Sequence, residues 1–255
     1  MADFTYVTDS MRFSYSNLSS FDTCKYGWML NYIEGKDSDS NFFAQFGLLV
    51  HEIFEKYWKK ELDKDKLAEY YKKNYRKFVT DSPPLFPKGM GESYYKSGYE
   101  FFQNFSFDRD LYEIILIEGK AESSYNGTSI VVKPDLIVRE KSTGDVILMD
   151  YKTSKPVKGD KWDTSKLDGY IKQLTLYKYF VEKEFGIKID RIELLFIRIN
   201  KIYVVEDSPQ NTHEVMSWFE YTLKLIEMER EFKADPSNSY FCQILCGVRR
   251  YCKYW

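Results

Sequence analysis

The sequence predicts a mixed α/β fold with a small central sheet, on two observations. Apolar residues recur at helical spacing through most of the first hundred residues, and from about residue 111 short β-branched, strand-like segments replace them. Those segments read as three strands, a helix and two more strands, with helical segments before and after. At 255 residues, with 44% hydrophobic and 30% charged side chains, the composition is that of a globular protein.

Four helical segments precede the strands. In the first, about residues 16–34, apolar side chains such as Leu18 and Phe21 lie near helical spacing. The second covers about 41–62 and contains GLLVHEIFEKYW, and the third, 64–78, is strongly charged. The breaker sequence DSPPLFPKG follows, and a fourth helix is expected up to about residue 105.

The strand-like part begins with YEIILIEGKAES and TSIVVKPDLIVRE, which we expect to be joined by a turn at Asn126-Gly127. VILMDYKT is a third, mostly buried strand. A helix over about 165–185 should end at Gly186, and DRIELLFIRI and KIYVVE predict two further strands. A last helix over about 211–232 leads into a cysteine-rich tail.

Charge and hydropathy restrict the partners only partly. The net charge is −2, so no global basic signal indicates a nucleic acid, although a protein that binds nucleic acid can confine its positive potential to a groove. No apolar run approaches the roughly 20 residues of a membrane span. The start, MADFTYVTDSMRFSYS, lacks the basic and apolar segments of a signal peptide. We therefore expect no membrane partner and an intracellular, cytoplasmic protein (host cytoplasm if viral).

The clearest chemical signal is Pro134-Asp135 followed by Asp150-Tyr151-Lys152. Residues two apart on a strand share a face, so Asp150 and Lys152 should lie together, and a hairpin can bring Asp135 beside them. Two adjacent carboxylates repel unless a cation separates them, and oxygen ligands suit Mg²⁺ or Mn²⁺. The lysine could orient or deprotonate a water, or neutralise charge on phosphorus. A pair of solvated strand ends is the alternative.

Three further features extend this signal. His51, one of two histidines, lies in the second helix and is either a ligand or a structural residue. Gln173 and Tyr177 are four apart on the helix after the hairpin and share a face. Lys155 belongs to a basic stretch that suits a phosphate backbone or, equally, a solvated loop; its other lysines are at positions 152, 158, 161, 166 and 172.

Four cysteines occur, and three of them crowd into the tail: Cys24, Cys242, Cys246 and Cys252. Disulfides do not suit a reducing cell, so the spacing indicates a metal or cluster site. Unrelated buried cysteines are the alternative. A shared site would link the two ends of the chain, because 218 residues separate the first two cysteines.

Five segments occur in an order that resembles a known family: FSYSNLSSFDTCKYGWMLNYI, FGLLVHEIF, KPDLIV, VILMDYKTSK and YIKQLTLYKYF. Together they resemble the PD-(D/E)XK superfamily and its RecB-type branch, which includes the AddB nuclease domain and four-cysteine CRISPR-associated exonucleases. The resemblance implies a restriction-endonuclease-like α/β core with N-terminal helical insertions and a C-terminal cysteine tail. It implies one nuclease domain over residues 1–255, with a mainly helical part (12–110), a catalytic core (111–206) and a C-terminal helix with the cysteine cluster (210–255).

The resemblance also assigns roles. It implies that His51, Asp135, Asp150 and the backbone carbonyl of Tyr151 are metal ligands and that Lys152 is the signature lysine. Members of the family contact DNA near the scissile phosphate through the element matched by residues 173 and 177. Glu118 resembles an upstream glutamate that many relatives carry. The alternative is an ordinary surface position on a strand.

For the cysteines, the resemblance implies a four-iron four-sulfur cluster, with a Cys₄ zinc site as competitor. This chain departs from the family pattern twice: Lys25 replaces a proline after Cys24, and one extra residue separates the first two tail cysteines.

The activity implied is a Mg²⁺- or Mn²⁺-dependent exonuclease on single-stranded or frayed DNA ends, leaving 5′-phosphates. No helicase motif is present, so any helicase, recombination or CRISPR-adaptation partner would be a separate chain. A non-catalytic DNA-binding or assembly module and a structure-specific endonuclease or nickase are the alternatives.

Overall fold

The computed structural model describes residues 10–254. Its α-helices are α1 (Tyr15–Thr23), α2 (Lys25–Trp28), α3 (Phe42–Trp58), α4 (Leu67–Phe78), α5 (Met90–Gln103), α6 (Thr164–Phe185) and α7 (Pro209–Met228). Its strands are β1 (Arg12–Phe13), β2 (Tyr112–Ile117), β3 (Ala121–Tyr125), β4 (Thr128–Val132), β5 (Leu136–Glu140), β6 (Val146–Lys152), β7 (Val157–Lys158), β8 (Lys161–Trp162), β9 (Arg191–Phe196) and β10 (Lys201–Val205).

The described residues form two compact units. One contains residues 10–41, Ala121–Val132 and 208–254, and the other contains Phe42–Lys120 and Lys133–Asp207. Each unit contains residues from more than one of the three predicted parts, the helical part (12–110), the core (111–206) and the tail (210–255). The predicted division into domains stays a prediction. No helix within residues 10–254 is long and apolar enough to cross a membrane.

The larger unit is built on a mixed five-stranded sheet in the order β10-β9-β6-β5-β2. Strand β6 lies at its centre, parallel to β9 and antiparallel to β5. The connection from β6 to β9 runs through α6, because parallel neighbours need a crossover. Helix α6 ends at Gly186, whose φ of 63° is the left-handed C-cap conformation that glycine tolerates best. The predicted mixed α/β fold with a small central sheet is confirmed.

The core of this unit is aromatic. Side chains of β5 and β6 pack against α3, α4 and α5, where Phe46, Phe54, Tyr71 and Phe102 are almost completely buried. Tyrosine-rich packing of this kind uses rings that contact edge to face at centroid separations of about 5–6.5 Å, as in the pair formed by Phe46 and Tyr94. The high aromatic content is therefore accounted for largely by a core.

The smaller unit contains a three-stranded sheet in the order β1-β4-β3. Strands β3 and β4 form a hairpin at Asn126-Gly127, whose φ angles of 50° and 85° are those of a tight hairpin turn. Around it lie α1, α2 and α7 and two helical turns in the tail, Phe241–Leu245 and Arg249–Tyr251. The buried Trp28 donates through Nε1 to Asn17 at 3.1 Å and lies nearly parallel to the ring of Phe232.

The two strands expected around that turn are in fact four. The first breaks after β2, where Glu118 adopts a φ of 43° and a side chain at Gly119 would collide with Leu116 at 2.2 Å. The second breaks at Lys133-Pro134, since proline cannot donate a ladder hydrogen bond. Strands β3 and β4 therefore leave the five-stranded sheet, while β2 and β5 pair with each other.

Candidate active site

The end of β6 carries the first part of the site. The antiparallel register pairs Leu136 with Met149, which places Asp135, at the start of β5, beside Asp150. Asp135 Oδ2 accepts a hydrogen bond of 2.7 Å from the backbone N–H of Tyr151. Both carboxylates are buried, at 7% and 2% exposure. The predicted hairpin thus brings two buried aspartates together.

A third carboxylate and the histidine complete a group of potential ligands. His51 Nδ1 lies 3.0 Å from Glu118 Oε1 and 3.5 Å from Asp135 Oδ1. Within residues 10–254, these three side chains form the one set of His, Cys, Asp or Glu atoms that all lie within 4.8 Å of one another. The left-handed backbone at Glu118 turns the chain out of β2, and its N–H donates to the carbonyl of Asp135 at 2.8 Å. The break in the strand therefore places the glutamate.

The charges of this group are not balanced by the protein. Burial lowers the pKa of His51, but the carboxylates of Asp135 and Glu118 outweigh burial and raise it to about 9. The pKa of Asp135 is itself raised, by burial and by the charge of Asp150. A base and an acid that both have raised pKa values hold their protons more tightly, which indicates an excess of negative charge around them. Once the protons on His51 and Asp135 are lost, the three carboxylates and one ammonium (Lys152) leave two negative charges, so a divalent cation held by nitrogen and oxygen donors can replace those protons.

Lys152 lies within a chain of polar contacts. Its Nζ is 2.7 Å from Asp150 Oδ2 and donates to Gln173 Oε1 at 2.9 Å, and Gln173 Nε2 lies 3.0 Å from the hydroxyl of Tyr177. The Nζ also lies 4.7 Å from the ring centroid of Tyr170, a cation–π distance. Burial lowers the pKa of Lys152, but Asp150 raises it above the ordinary lysine value overall. The lysine is therefore a fixed cation in the metal-free site.

Asp150 Oδ2 is fully buried and, within the described residues, accepts no well-aligned hydrogen bond. The ammonium of Lys152 is close enough for an ion pair but not well placed to donate. A buried carboxylate oxygen without a donor is costly unless something else neutralises it. The ammonium of Lys152, 2.7 Å away, supplies that neutralisation, so the buried Asp150 carboxylate depends on this lysine.

Residues 12–253 match the PD-(D/E)XK nuclease superfamily. The chain belongs to this superfamily. No curated protein matches it significantly.

One solved structure shows a similar fold for this member of the PD-(D/E)XK superfamily. It resembles a protein from Eubacterium rectale that carries the provisional name exonuclease, with a TM-score of 0.50 and 15% identity, covering 98% of this chain and 90% of the other. It is also similar to SSO0001, with a TM-score of 0.42 and 14% identity, covering 96% and 87%.

At the end of β6, Asp150 is buried and Lys152 is half-buried, and the signature roles expected of this pair stay a prediction. The predicted face-sharing of these two residues, and of Gln173 with Tyr177, holds in the structure. Gln173 accepts a hydrogen bond from Lys152, a contact that spacing along one helix could not indicate. Lys155 is exposed and lies three residues after the end of β6.

Two further contacts in this superfamily member could not be read from sequence periodicity. Glu118 lies next to His51 because of a left-handed backbone that leaves no periodic pattern. The ring of Tyr170 lies close to Lys152, and this contact depends on the tertiary packing of α6. The role of the Tyr151 carbonyl stays a prediction.

The four cysteines of this superfamily member lie in the smaller unit and line one cavity of about 30 Å³: Cys24, Cys242, Cys246 and Cys252. Burial and the neighbouring thiols raise the pKa of Cys242 and of Cys246. A tetrahedral zinc site would hold its sulfurs about 3.8 Å apart, given Zn–S bonds of about 2.3 Å. No three cysteine sulfurs within residues 10–254 are that close, since none share a 4.8 Å group.

Proposed function

We propose that this PD-(D/E)XK protein is a divalent-metal-dependent deoxyribonuclease of the RecB-type branch. The observation that carries the proposal is the approach of His51, Glu118 and Asp135 beside the ion pair of Asp150 and Lys152. A binding-only module has no use for buried carboxylates in excess of their cations, because their mutual repulsion destabilises the fold.

Three ligands in this proposal are protein side chains: His51, Asp135 and Asp150, with Glu118 as a fourth donor. A bound Mg²⁺ or Mn²⁺ would lower the pKa of a coordinated water and polarise the phosphate. An imidazole among oxygen donors favours Mn²⁺ relative to an all-oxygen site.

We assign to Lys152 the stabilisation of the negative charge that develops on the phosphate in the transition state. Its pKa is raised, so it carries a proton at neutral pH and can donate to the attacking water or to a phosphate oxygen. Gln173 accepts from the same ammonium and Tyr177 lies next to Gln173, so both fix the direction in which Lys152 points. In this arrangement they act on DNA through the lysine as well as by direct contact.

For the cysteines, we propose a four-iron four-sulfur cluster rather than zinc. Support comes from four thiols that line one cavity, together with the resemblance of the cysteine pattern to four-cysteine relatives. The cluster would tie α2 to the tail. It would take no part in hydrolysis.

The substrate that we propose is single-stranded or frayed DNA, cleaved from an end to leave 5′-phosphates, with any unwinding done by a separate protein. The test is to incubate linear and circular single-stranded DNA, labelled at either end, with Mg²⁺, Mn²⁺ or EDTA. Degradation of the linear form alone, and only with metal, is expected. Cleavage of the circle indicates an endonuclease, and stable DNA in every reaction indicates the binding module.

A further inference from the structure

Beyond the ligand group, the end of the five-stranded sheet holds a second cation. Lys152 pairs in register with Phe196 at the end of β9, and Arg198 lies two residues further along. At roughly 2–3.3 Å of rise per residue, this places the backbone of Arg198 about 4–7 Å beyond that of Phe196, at the same edge as the catalytic strand end.

Arg198 is held in place by neutral partners. Its guanidinium carbon lies 3.4 Å from the ring centroid of Tyr94, and its nitrogens donate to Ser97 Oγ at 3.4 Å and Ser93 Oγ at 3.3 Å. It forms no ion pair with a carboxylate within the part of the chain that the structure describes. Stacking on a ring fixes the plane of a guanidinium, and such a plane suits the oxygens of a phosphate.

Two groups that follow β6 also lack a partner among the described residues, one an opposite charge and the other a hydrogen bond. Lys155 is a second cation: its own burial and the charge of Arg198 lower its pKa, and it has no acidic partner among residues 10–254. The hydroxyl of Ser154, between Lys152 and Lys155 in sequence, is buried and has no hydrogen-bond partner in the described structure. Two cations close enough for one to lower the pKa of the other are costly to hold together without an anion.

We propose that Arg198 and Lys155 bind a backbone phosphate of the substrate strand next to the scissile phosphate. The proposal rests on the proposed nuclease function. Arg198 offers a planar set of donors to two phosphate oxygens, and the exposed Lys155 adds a second cation. Binding this neighbouring phosphate would hold the scissile one against Lys152, so both cations are positioning residues.

The test measures binding of a fluorescein-labelled oligothymidylate by anisotropy in EDTA over a range of KCl concentrations. Arg198→Gln and Lys155→Gln should each weaken binding. Each should also reduce the slope of log K against log[KCl] by about 0.7, the value expected when the protein neutralises one phosphate fewer on a single strand. Lys188→Gln is the matched control, since Lys188 precedes β9, at the opposite end of the strand from Arg198, and pairs with Asp190.

Arg198 also packs on α5, so a folding defect must be separated from a binding defect. Lys155 is exposed, and its variant should keep the melting temperature of the unaltered protein. Arg198→Lys should retain most of the salt slope while binding more weakly, because it keeps the charge and loses the fork. In cleavage assays the two glutamine variants should raise KM more than they lower kcat.

The outcomes separate this proposal from the function on which it rests. Unchanged salt slopes in both glutamine variants, or an equal loss of slope in Lys188→Gln, overturn the phosphate site even if the unaltered protein cleaves DNA. An unaltered protein that cleaves no DNA with any metal overturns the nuclease proposal, while the salt slopes still decide whether the two cations contact a strand.

Discussion

The indole Nε1 of Trp58 donates a hydrogen bond of 2.8 Å to the buried hydroxyl of Tyr151. The ring of Tyr151 also stacks on Phe54, with centroids 3.9 Å apart and planes 12° from parallel. Trp58 and Phe54 lie on α3, the same helix as His51, so the side chain of Tyr151 holds α3 against β6. Tyr151, between Asp150 and Lys152, therefore links these two residues to the helix that carries His51.

Trp58→Phe should test this link. The substitution leaves the Tyr151 hydroxyl buried without a donor, which costs about 1–3 kcal/mol. In a chain of this size that is about 2–4 °C in Tm for each kcal/mol. Thermal unfolding measures the loss, and Trp162→Phe is the control, because its indole makes no hydrogen bond among the described residues. Equal effects of the two substitutions would show that ring size, not the hydrogen bond, matters.

The signature pair has the largest expected effect on activity. Asp150→Asn and Lys152→Ala should each lower cleavage by roughly 10³-fold or more, because each removes several kcal/mol of stabilisation that the transition state needs. Single-turnover cleavage measures the loss, and circular dichroism checks the fold. Asp65→Asn, an exposed change of the same kind, should leave the rate unaltered. Wild-type rates in a folded Asp150→Asn protein would remove the site from consideration.

Much of this pair could be predicted from the sequence. Alternation along a strand puts Asp150 and Lys152 on one face, and helical spacing puts Gln173 and Tyr177 together. Those rules act over a few residues and need no tertiary information. The contact of Lys152 with Gln173 spans 21 residues and depends on how α6 crosses back over the sheet. Periodicity carries no information about such a crossing.

The placement of Glu118 could not be predicted for a different reason. A run of apolar residues predicts a strand through this position, but the chain leaves the sheet there with a positive φ. The deviation is enforced by Gly119, which has room for no side chain against Leu116. Local strain of this kind is found at functional sites and has no sequence period. The backbone turn that ends β2 is also what brings Glu118 next to His51.

Metal titrations should decide whether Glu118 or Asp150 completes the ligand set. His51→Ala and Glu118→Gln should each raise the Mn²⁺ concentration needed for half-maximal activity by about tenfold or more, because each removes a ligand. Calorimetric Mn²⁺ binding to the DNA-free protein provides a readout without catalysis. Glu113→Gln, an exposed glutamate of β2, is the matched control. A normal titration for Glu118→Gln, together with no Mn²⁺ binding by Asp150→Asn, would assign the glutamate a supporting role only.

Acid should weaken the smaller unit through Glu229. Burial raises the pKa of this carboxyl, but the ammonium of Lys25 at 2.5 Å and three backbone N–H groups lower it to about 2 overall. A carboxyl with a depressed folded-state pKa stabilises the fold above its unfolded pKa of about 4.5, and the contribution is lost as the pH falls toward 2.

The measurement is urea unfolding of the unaltered protein and Glu229→Gln between pH 7 and pH 2. The difference in unfolding free energy should be full at neutral pH and shrink steadily below about pH 4.5. Glu227→Gln, an exposed position on the same helix, should differ little from the unaltered protein at any pH. A Glu229→Gln deficit that stays constant down to pH 2 would contradict the assignment.

The cysteines connect residues 218 positions apart, and their removal should release the tail only in part. Beyond the thiols, the backbone N–H of Asp39 donates to Gly247 at 2.8 Å, and Arg250 pairs with Asp39 at 3.0 Å. These contacts anchor the tail independently of any cluster. Ligation nevertheless adds the free energy of cluster binding to folding, which ordinary surface contacts do not supply.

Cys24→Ala should therefore yield a protein whose tail is cut by trypsin faster than in the unaltered protein, while the catalytic ligands stay in place. A brown protein with iron and sulfide in anaerobic preparations indicates the cluster, and a colourless protein with bound zinc indicates the competitor. Ser38→Ala is a control for disturbance near Gly247, since it removes a tail neighbour without removing a thiol. If the Cys24→Ala tail is as resistant as the original in a metal-free protein, the noncovalent contacts around Asp39 suffice and the thiols do not hold the two ends of the chain together.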